Sequence, residues 1–232
     1  VAIFTNGPSL LRLKTIDPDA PASGDPTGPP LYTISADELT ALLTRTTFAA
    51  SHSNVGQPTE GILLELLGST LTVVATNGHH LACATYTIPT PPPTTGHHEI
   101  PLAFILPRRS ATALRQLLTR IDPTTPLALV LLDTGRLSLV GGPIRFETLP
   151  LNATYPNWRG ILPTDFGPTC TVNLDAFRQA IRLASAGLTD RLLSVVCTLT
   201  RDQLTLSSHG DSDGSNVTHM PATWTGDNLT LR

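Results

Sequence analysis

The 232-residue chain is short of several things. Aromatic residues make up 5% of it, charged residues 14%, and there are one methionine and three cysteines. Lys14 is the only lysine; arginine supplies the rest of the 15 basic residues. No apolar run approaches the ~18–20 residues that a membrane helix needs. The N-terminus has no basic-then-apolar stretch ending in small residues, so no signal peptide is expected. Cys83, Cys170 and Cys197 are odd in number and lack zinc-ligand spacing, which fits a reducing compartment and a cytoplasmic location. Gly-x-Ser-x-Gly, P-loop and Gly-x-Gly-x-x-Gly patterns are all missing, so no catalytic residue is assigned. His79-His80 and His97-His98 are adjacent pairs, and neighbours on a strand point to opposite faces, so neither is a natural chelate. Residues 211–216 (DSDGSN) begin like a calcium loop but lack its later ligands. Asn152, Asn216 and Asn228 open Asn-x-Thr sequons, which chance explains among 35 threonines. No metal, cofactor or membrane partner is expected.

What is there is enough for a folded protein. At 40% hydrophobic and a net charge of −3 the chain can bury a core, and the charge excludes a wholly basic nucleic-acid binder while leaving room for a basic stripe. Three segments have helical periodicity. In 35–48, Ser35 and Glu38 have capping-box spacing, and Leu39, Leu42, Leu43 and Thr46 share a face. In 107–120, Pro107 suits the first helical position, and Ala111, Leu114, Leu117 and Leu118 form a stripe. In 174–188, Asn173 can cap a helix with Phe177, Ala180, Ile181, Ala184 and Leu188 inward. Three strands follow each helix: 61–67, 70–76 and 81–88; 127–132, 136–140 and 143–149; 192–199, 203–208 and 217–224. Short strands precede the helices at 31–34, 99–105 and 169–172. The separators at 67–69, 133–135 and 201–202 carry hairpin-turn residues.

The chain thus repeats a β-α-β-β-β unit, with helix starts near 36, 108 and 175. The expected fold class is α+β: antiparallel sheets, each covered by one helix, with the helices of 35–48 and 107–120 side by side on one face. Residues 1–16 read as the last hairpin of a preceding unit. The expected organisation is 1–30, a terminal hairpin plus linker; 31–150, a domain of two subdomains; 151–167, an interdomain linker; and 168–232, half of a further domain. Within the central domain, 89–96 separates the two halves. Residues 228–232 read as the first strand of a further unit.

Several motifs carry a family resemblance. TLTVVATNGH (70–79), followed by Leu81-Ala82, is similar to a V-A-T-D-G-H-R-L-A strand and turn of the sliding clamp, the β subunit of bacterial DNA polymerase III. YPNWRGILP (155–163) is similar to its interdomain segment Y/F-P-D-Y-R-x-V-I/L-P. VNLDAFRQAI (172–181) resembles the start of its third domain, and RLKTI (12–16) the end of its first. The resemblance implies a DNA-clamp fold and a non-catalytic processivity factor. Such a factor encircles DNA as a ring and tethers polymerase through a pocket for short peptides. The chain would hold the last hairpin of the first domain, the whole second domain and half of the third.

Residue by residue, the resemblance places a partner-peptide or ligand pocket at Thr59, Thr76, Gly78, His79, His80, Leu81, Pro156, Gly160, Ile161 and Leu192. His80 and Gly160 stand where the family often has arginine, and Thr59 and Leu192 replace larger or more apolar residues. These changes keep a second reading open: a clamp-fold ligand-sensing or interaction module, such as one fused to a DNA-binding regulator domain, with a small molecule beside His80 and Trp158. The DNA-facing candidates are Arg108, Arg109 and Arg115, sharing a helix with Thr112 and Thr119, and Arg178 and Arg182 with Ser185. Arg108 and Arg109 sit in a first helical turn, where the dipole disfavours cations. The expected partners are double-stranded DNA, bound weakly and without sequence preference, polymerase or other clamp-binding peptides, and further copies of the chain through exposed strand edges.

Overall fold

The computed structural model describes residues 2–6, 9–13, 30–52, 56–89, 102–186, 194–209 and 215–231. Leu188, Leu192, His97-His98, most of 89–96 and most of 211–216 lie outside them. The chain divides into two compact units, Val1–Gly160 and Ile161–Arg232.

The first unit opens with an antiparallel hairpin of β1 (Ala2–Asn6) and β2 (Ser9–Leu13). Two repeats follow. The first is β3 (Tyr32–Ser35), α1 (Ala36–Thr46), β4 (Gly61–Leu67), β5 (Thr70–Thr76) and β6 (Leu81–Thr87). The second is β7 (Leu102–Pro107), α2 (Arg108–Leu118), β8 (Pro126–Leu131), β9 (Leu137–Gly141) and β10 (Ile144–Thr148). The apolar spacing of the helices has nearly its expected result: Leu39, Leu42, Leu43 and Thr46 of α1 are buried, as are Ala111, Leu114 and Leu118 of α2, while Leu117 is only half-buried at the edge of the core. The helices pack side by side. Their buried faces share one core with both sheets, through Ile62, Leu64, Leu127 and Leu139 among others. An internal void of about 20 Å³ at the centre of that core is too small for an organic ligand.

Pairing departs from the expected one sheet per repeat. The sheets run β6-β5-β4-β7 and β10-β9-β8-β3. Each repeat therefore sends its first strand into the other's sheet: β3 lies antiparallel to β8, with Ile34 opposite Leu127, and β7 lies antiparallel to β4, with Ile105 opposite Leu63. The strand before a helix and the strand after it are separated by the helix length, and the partner repeat offers the free edge. Neither half can complete its sheet alone.

Two local expectations also change. Ser35 makes no cap bond to the α1 backbone; its hydroxyl donates to the Asp37 carboxylate, which also accepts from the Glu38 N–H. The carboxylate two residues away takes the hydroxyl's hydrogen bond, and no capping box forms. Pro107 ends β7 in an extended conformation (ψ 137°), so the helix starts at Arg108. The 47–48 end of the expected first helix tightens into a 3-10 turn at Thr47–Ala49 that leaves Phe48 70% exposed.

The second unit contains β11 (Cys170–Val172), α3 (Leu174–Ser185), β12 (Val196–Thr200), β13 (Gln203–His209), β14 (Ser215–Trp224) and β15 (Leu229–Leu231). Its sheet order is β11-β14-β13-β12-β15. β15 pairs with β12 as β7 pairs with β4. Asn173 caps α3 as its side chain predicts, accepting from the N–H groups of Asp175 and Ala176 at 3.1 and 3.0 Å. The helix stripe is narrower than expected. Ala180 and Ala184 are buried with Phe177 partly so, but Ile181 is 38% exposed, because the small alanines let the sheet approach one line of the helix and Ile181 falls off it.

Candidate functional site

β4 reads as a nearly unbroken apolar run, and the structure buries both its faces. Ile62, Leu64 and Leu66 point into the helix-covered core. On the other face Leu63, Val74 and Ile105, neighbours across β4, β5 and β7, form a second apolar patch, covered by Trp158 at 7% exposure. Leu81, Leu151 and Tyr155 pack on the same patch. Residues 151–160, expected as part of a linker, are thus a strap lying on the sheet within the first unit; burial of an indole and a phenol outweighs the proline- and asparagine-rich composition.

The strap is tied along the sheet. Leu151 N–H donates to the Ile105 carbonyl at 2.9 Å. The Tyr155 hydroxyl lies 3.4 Å from the Val74 carbonyl and 3.5 Å from that of Gly61, donating to one at a time. Burial pushes the Tyr155 phenol from 10.0 up to about 12. Trp158 N–H donates back to the Pro156 carbonyl at 2.7 Å. Arg159 lies 4.2 Å over the Trp158 ring and grips both carboxylate oxygens of Glu65, Nη1 to Oε2 at 3.2 Å and Nη2 to Oε1 closer still. Hydrogen bonding to Glu65 holds the Arg159 guanidinium above its ordinary pKa. Burial pushes the Cys83 thiol up; Arg159 opposes that and Glu65 adds to it.

The turn between β5 and β6 stands beside this patch. Asn77 Oδ1 accepts from the N–H groups of His79 and His80 at 2.9 and 2.8 Å. The buried Thr76 hydroxyl donates to the His80 carbonyl at 2.7 Å and accepts from Gly78 N–H at 3.1 Å. Gly78 has φ +89°, a conformation that a side chain disfavours. Thr76 and Gly78 therefore build the turn, while His79 and His80 are exposed on it. Leu81, half-buried, joins the turn to the Tyr155–Trp158 patch.

Of the other pocket candidates, Thr59 is half-buried in the 3-10 turn Pro58–Glu60, which packs on β5. Pro156 and Gly160 are exposed on the strap. A side chain at Gly160 would meet only the movable Asn157 amide, so the backbone does not require glycine there. Ile161 belongs to the second unit and is 66% exposed. A cleft of about 460 Å³ runs under the strap, lined by Glu65, Phe104, Ile105, Tyr155, Trp158 and Arg159 among others; His79 and His80 lie outside its lining. Glu65, Tyr155 and Arg159 were not among the candidates. The available signal was Glu65 itself, one acid inside an apolar strand.

The basic candidates divide. On α2, Arg109 is exposed and Arg108 and Arg115 are half-buried, and the Arg108 Nε is buried without a hydrogen-bond partner. No acid lies in the first turn of α2, whereas α1 carries Asp37 and Glu38 there. In the second unit, Arg178 stands 3.5 Å from Asp175 and Arg182 is exposed. Among the described residues no His, Cys, Asp and Glu cluster suits a metal, and no helix is long and apolar enough to cross a membrane.

Repeated β-α-β-β-β units in antiparallel sheets with exchanged first strands make this a DNA-clamp fold. The Pseudomonas aeruginosa sliding clamp bound to griselimycin superimposes with a TM-score of 0.80 at 22% identity, over 99% of this chain and 60% of that one. The chain belongs to the DNA polymerase III beta subunit family, whose central domain matches residues 33–157. Among curated relatives, the beta sliding clamp of Chlamydia muridarum is 22% identical over 232 residues, all of this chain and 61% of that protein. That of Pseudomonas aeruginosa is 28% identical over 158 residues, 68% of this chain and 41% of that protein. The chain therefore spans less than two thirds of the length of these relatives.

Proposed function

We propose that the chain serves in a sliding-clamp processivity factor, a non-catalytic component that encloses duplex DNA and tethers polymerase by a short peptide. Family membership supports the role. The observation that carries the tethering reading is the braced turn 76–80 with Leu81 packed on the Trp158-covered patch. It is a hydrogen-bonded, solvent-facing corner with an apolar side wall. Rigid apolar grooves with a few fixed polar groups suit peptide capture, and tethering acts by effective concentration and needs no reacting group. DNA contact is assigned to Arg108, Arg109 and Arg115 on α2 and Arg178 and Arg182 on α3, as loose phosphate contacts without base reading.

Griselimycin, bound by the Pseudomonas clamp, is the probe for the pocket. Titration into isotope-labelled chain should move the amides of 76–81 and 155–159 with a Kd on the order of a millimolar, and Leu81→Asp should abolish the shifts. No movement at those amides would overturn the peptide reading. DNA binding should be weak and salt-dependent and vanish in Arg115→Glu/Arg182→Glu. Unchanged affinity in that variant would show that these faces are merely solvated.

A further inference from the structure

Glu65 is 6% exposed, in the middle of a strand whose neighbours Leu64 and Leu66 face the opposite way into the core. A buried carboxylate stays ionised only with a partner that replaces its water. That partner is Arg159, engaged through two nitrogens and stacked on Trp158. The strap thus meets the sheet at three successive levels of β4: Tyr155 near Gly61, Trp158 over Leu63, and Arg159 at Glu65. The first two contacts are apolar packing and a long hydrogen bond, which permit sliding. The third is a bidentate fork with fixed geometry; the Leu151 backbone bond to Ile105 holds the start of the strap, and the fork fixes its register at the Trp158 end. Pro156 rides between the first and second contacts, and Leu81 packs on the same patch.

We propose that Glu65 and Arg159 are positioning residues for the peptide pocket: the pair clasps the strap to β4 and so fixes Pro156 relative to the turn 76–81, without touching the peptide. The inference rests on the peptide-tethering reading above. It predicts unequal consequences for the two partners. Without Arg159 a buried carboxylate is stranded, so Arg159→Ala threatens the fold. Without the charge on Glu65, Arg159 keeps access to water through its half-exposed side chain, so Glu65→Gln loosens the strap and leaves the core intact. Arg159→Lys keeps the charge but loses the fork and the planar stack.

The test uses the full chain, with Glu65→Gln and Arg159→Lys, read by amide hydrogen exchange and by griselimycin titration. In both variants the Trp158 amide should exchange at least about tenfold faster, with the β13 amides of the second unit unchanged. Griselimycin affinity should fall about tenfold, the effect of losing a preorganised wall. Unchanged exchange at Trp158 in both variants would overturn the clasp. Faster exchange with unchanged affinity would overturn its positioning role. If the unaltered chain does not bind griselimycin, the tethering reading fails. The exchange result then decides the clasp by itself, faster exchange supporting it and equal exchange overturning it.

Discussion

The two units are built from one β-α-β-β-β recipe, yet they bury themselves differently. In the first unit two repeats trade their opening strands, two helices lie together, and the β4 sheet is covered on both faces. In the second, among the described residues, one helix covers one sheet, and the buried cluster is Ala180, Ala184, Leu199, Leu204, Leu206, Met220 and Ala222. Leu174, Ile181, Leu183 and Val217 remain exposed there. The difference shows two ways for the repeat to close a core: two copies completing each other's sheets, or one copy with a smaller cluster of its own. In the first way, each helix and three-stranded meander supply one face, and doubling supplies the rest of the core.

Each unit carries one tryptophan, Trp158 in the first and Trp224 in the second, so each can be followed separately in Trp224→Phe and Trp158→Phe backgrounds. The largest expected effect is from core truncation. Leu43→Ala and Leu206→Ala remove side chains almost fully shielded from solvent and should each cost about 3 kcal/mol. Leu43→Ala should lower the denaturant midpoint of the Trp158 signal alone, and Leu206→Ala that of Trp224 alone. If either change moves both signals together, the units unfold as one and the comparison fails. Next is Gly141→Ala, whose new methyl would run into the Pro126 carbonyl and Leu127 where β9 crosses β8. A loss of about 2 kcal/mol is expected, again in the Trp158 transition.

Helix starts sharpen the contrast. Asn173→Ala should cost about 1 kcal/mol, because two backbone N–H groups lose their acceptor. Ser35→Ala should cost only a few tenths of a kcal/mol, because Ser35 caps no helix N–H. Equal losses in urea unfolding would show that the Ser35–Asp37 contact acts as a cap after all.

Smallest at neutral pH, and visible only at high pH, is a pH dependence. The phenol of Tyr155 is neutral in both folded and unfolded chains below pH 10. Between pH 10 and about 12 the unfolded chain ionises while the folded one resists, so stability falls as pH rises through that window. Tyr155→Phe should make the fall in the Trp158 transition shallower, the rest coming from Tyr32, whose phenol burial also pushes up, and leave the Trp224 transition as it was. A slope unchanged by the substitution would remove Tyr155 from the strap's anchoring.

Elements were legible where local periodicity decides them. Strands β4 and β5 have the bounds that their turn residues predict, and the inward faces of α1 and α2 follow from leucine spacing alone. Which strand pairs with which was not legible, since β3 carries no mark of β8 in its own residues. The turn at 76–81 could be named from its motif, and its bracing by Thr76 follows from ordinary side-chain chemistry. Trp158 appeared only as a pocket candidate. Its burial depends on a patch formed by β4, β5 and β7 together, and composition around it reads as linker. Arg159 was hidden for the same reason: its partner lies 94 positions away.

The strand exchange bears on how the protein emerges from a ribosome. Ile34 of β3 waits for Leu127 of β8, 93 residues later (127 − 34). At bacterial translation speeds that interval is on the order of ten seconds. During it α1 and the β4–β6 meander are already made, while β3 has no sheet to join. The buried side chains of β3, Tyr32 and Ile34, stay available for the wrong neighbour throughout. Chaperone capture of the nascent chain should therefore peak while the 36–125 stretch is outside the exit tunnel, and end abruptly once β8 clears it.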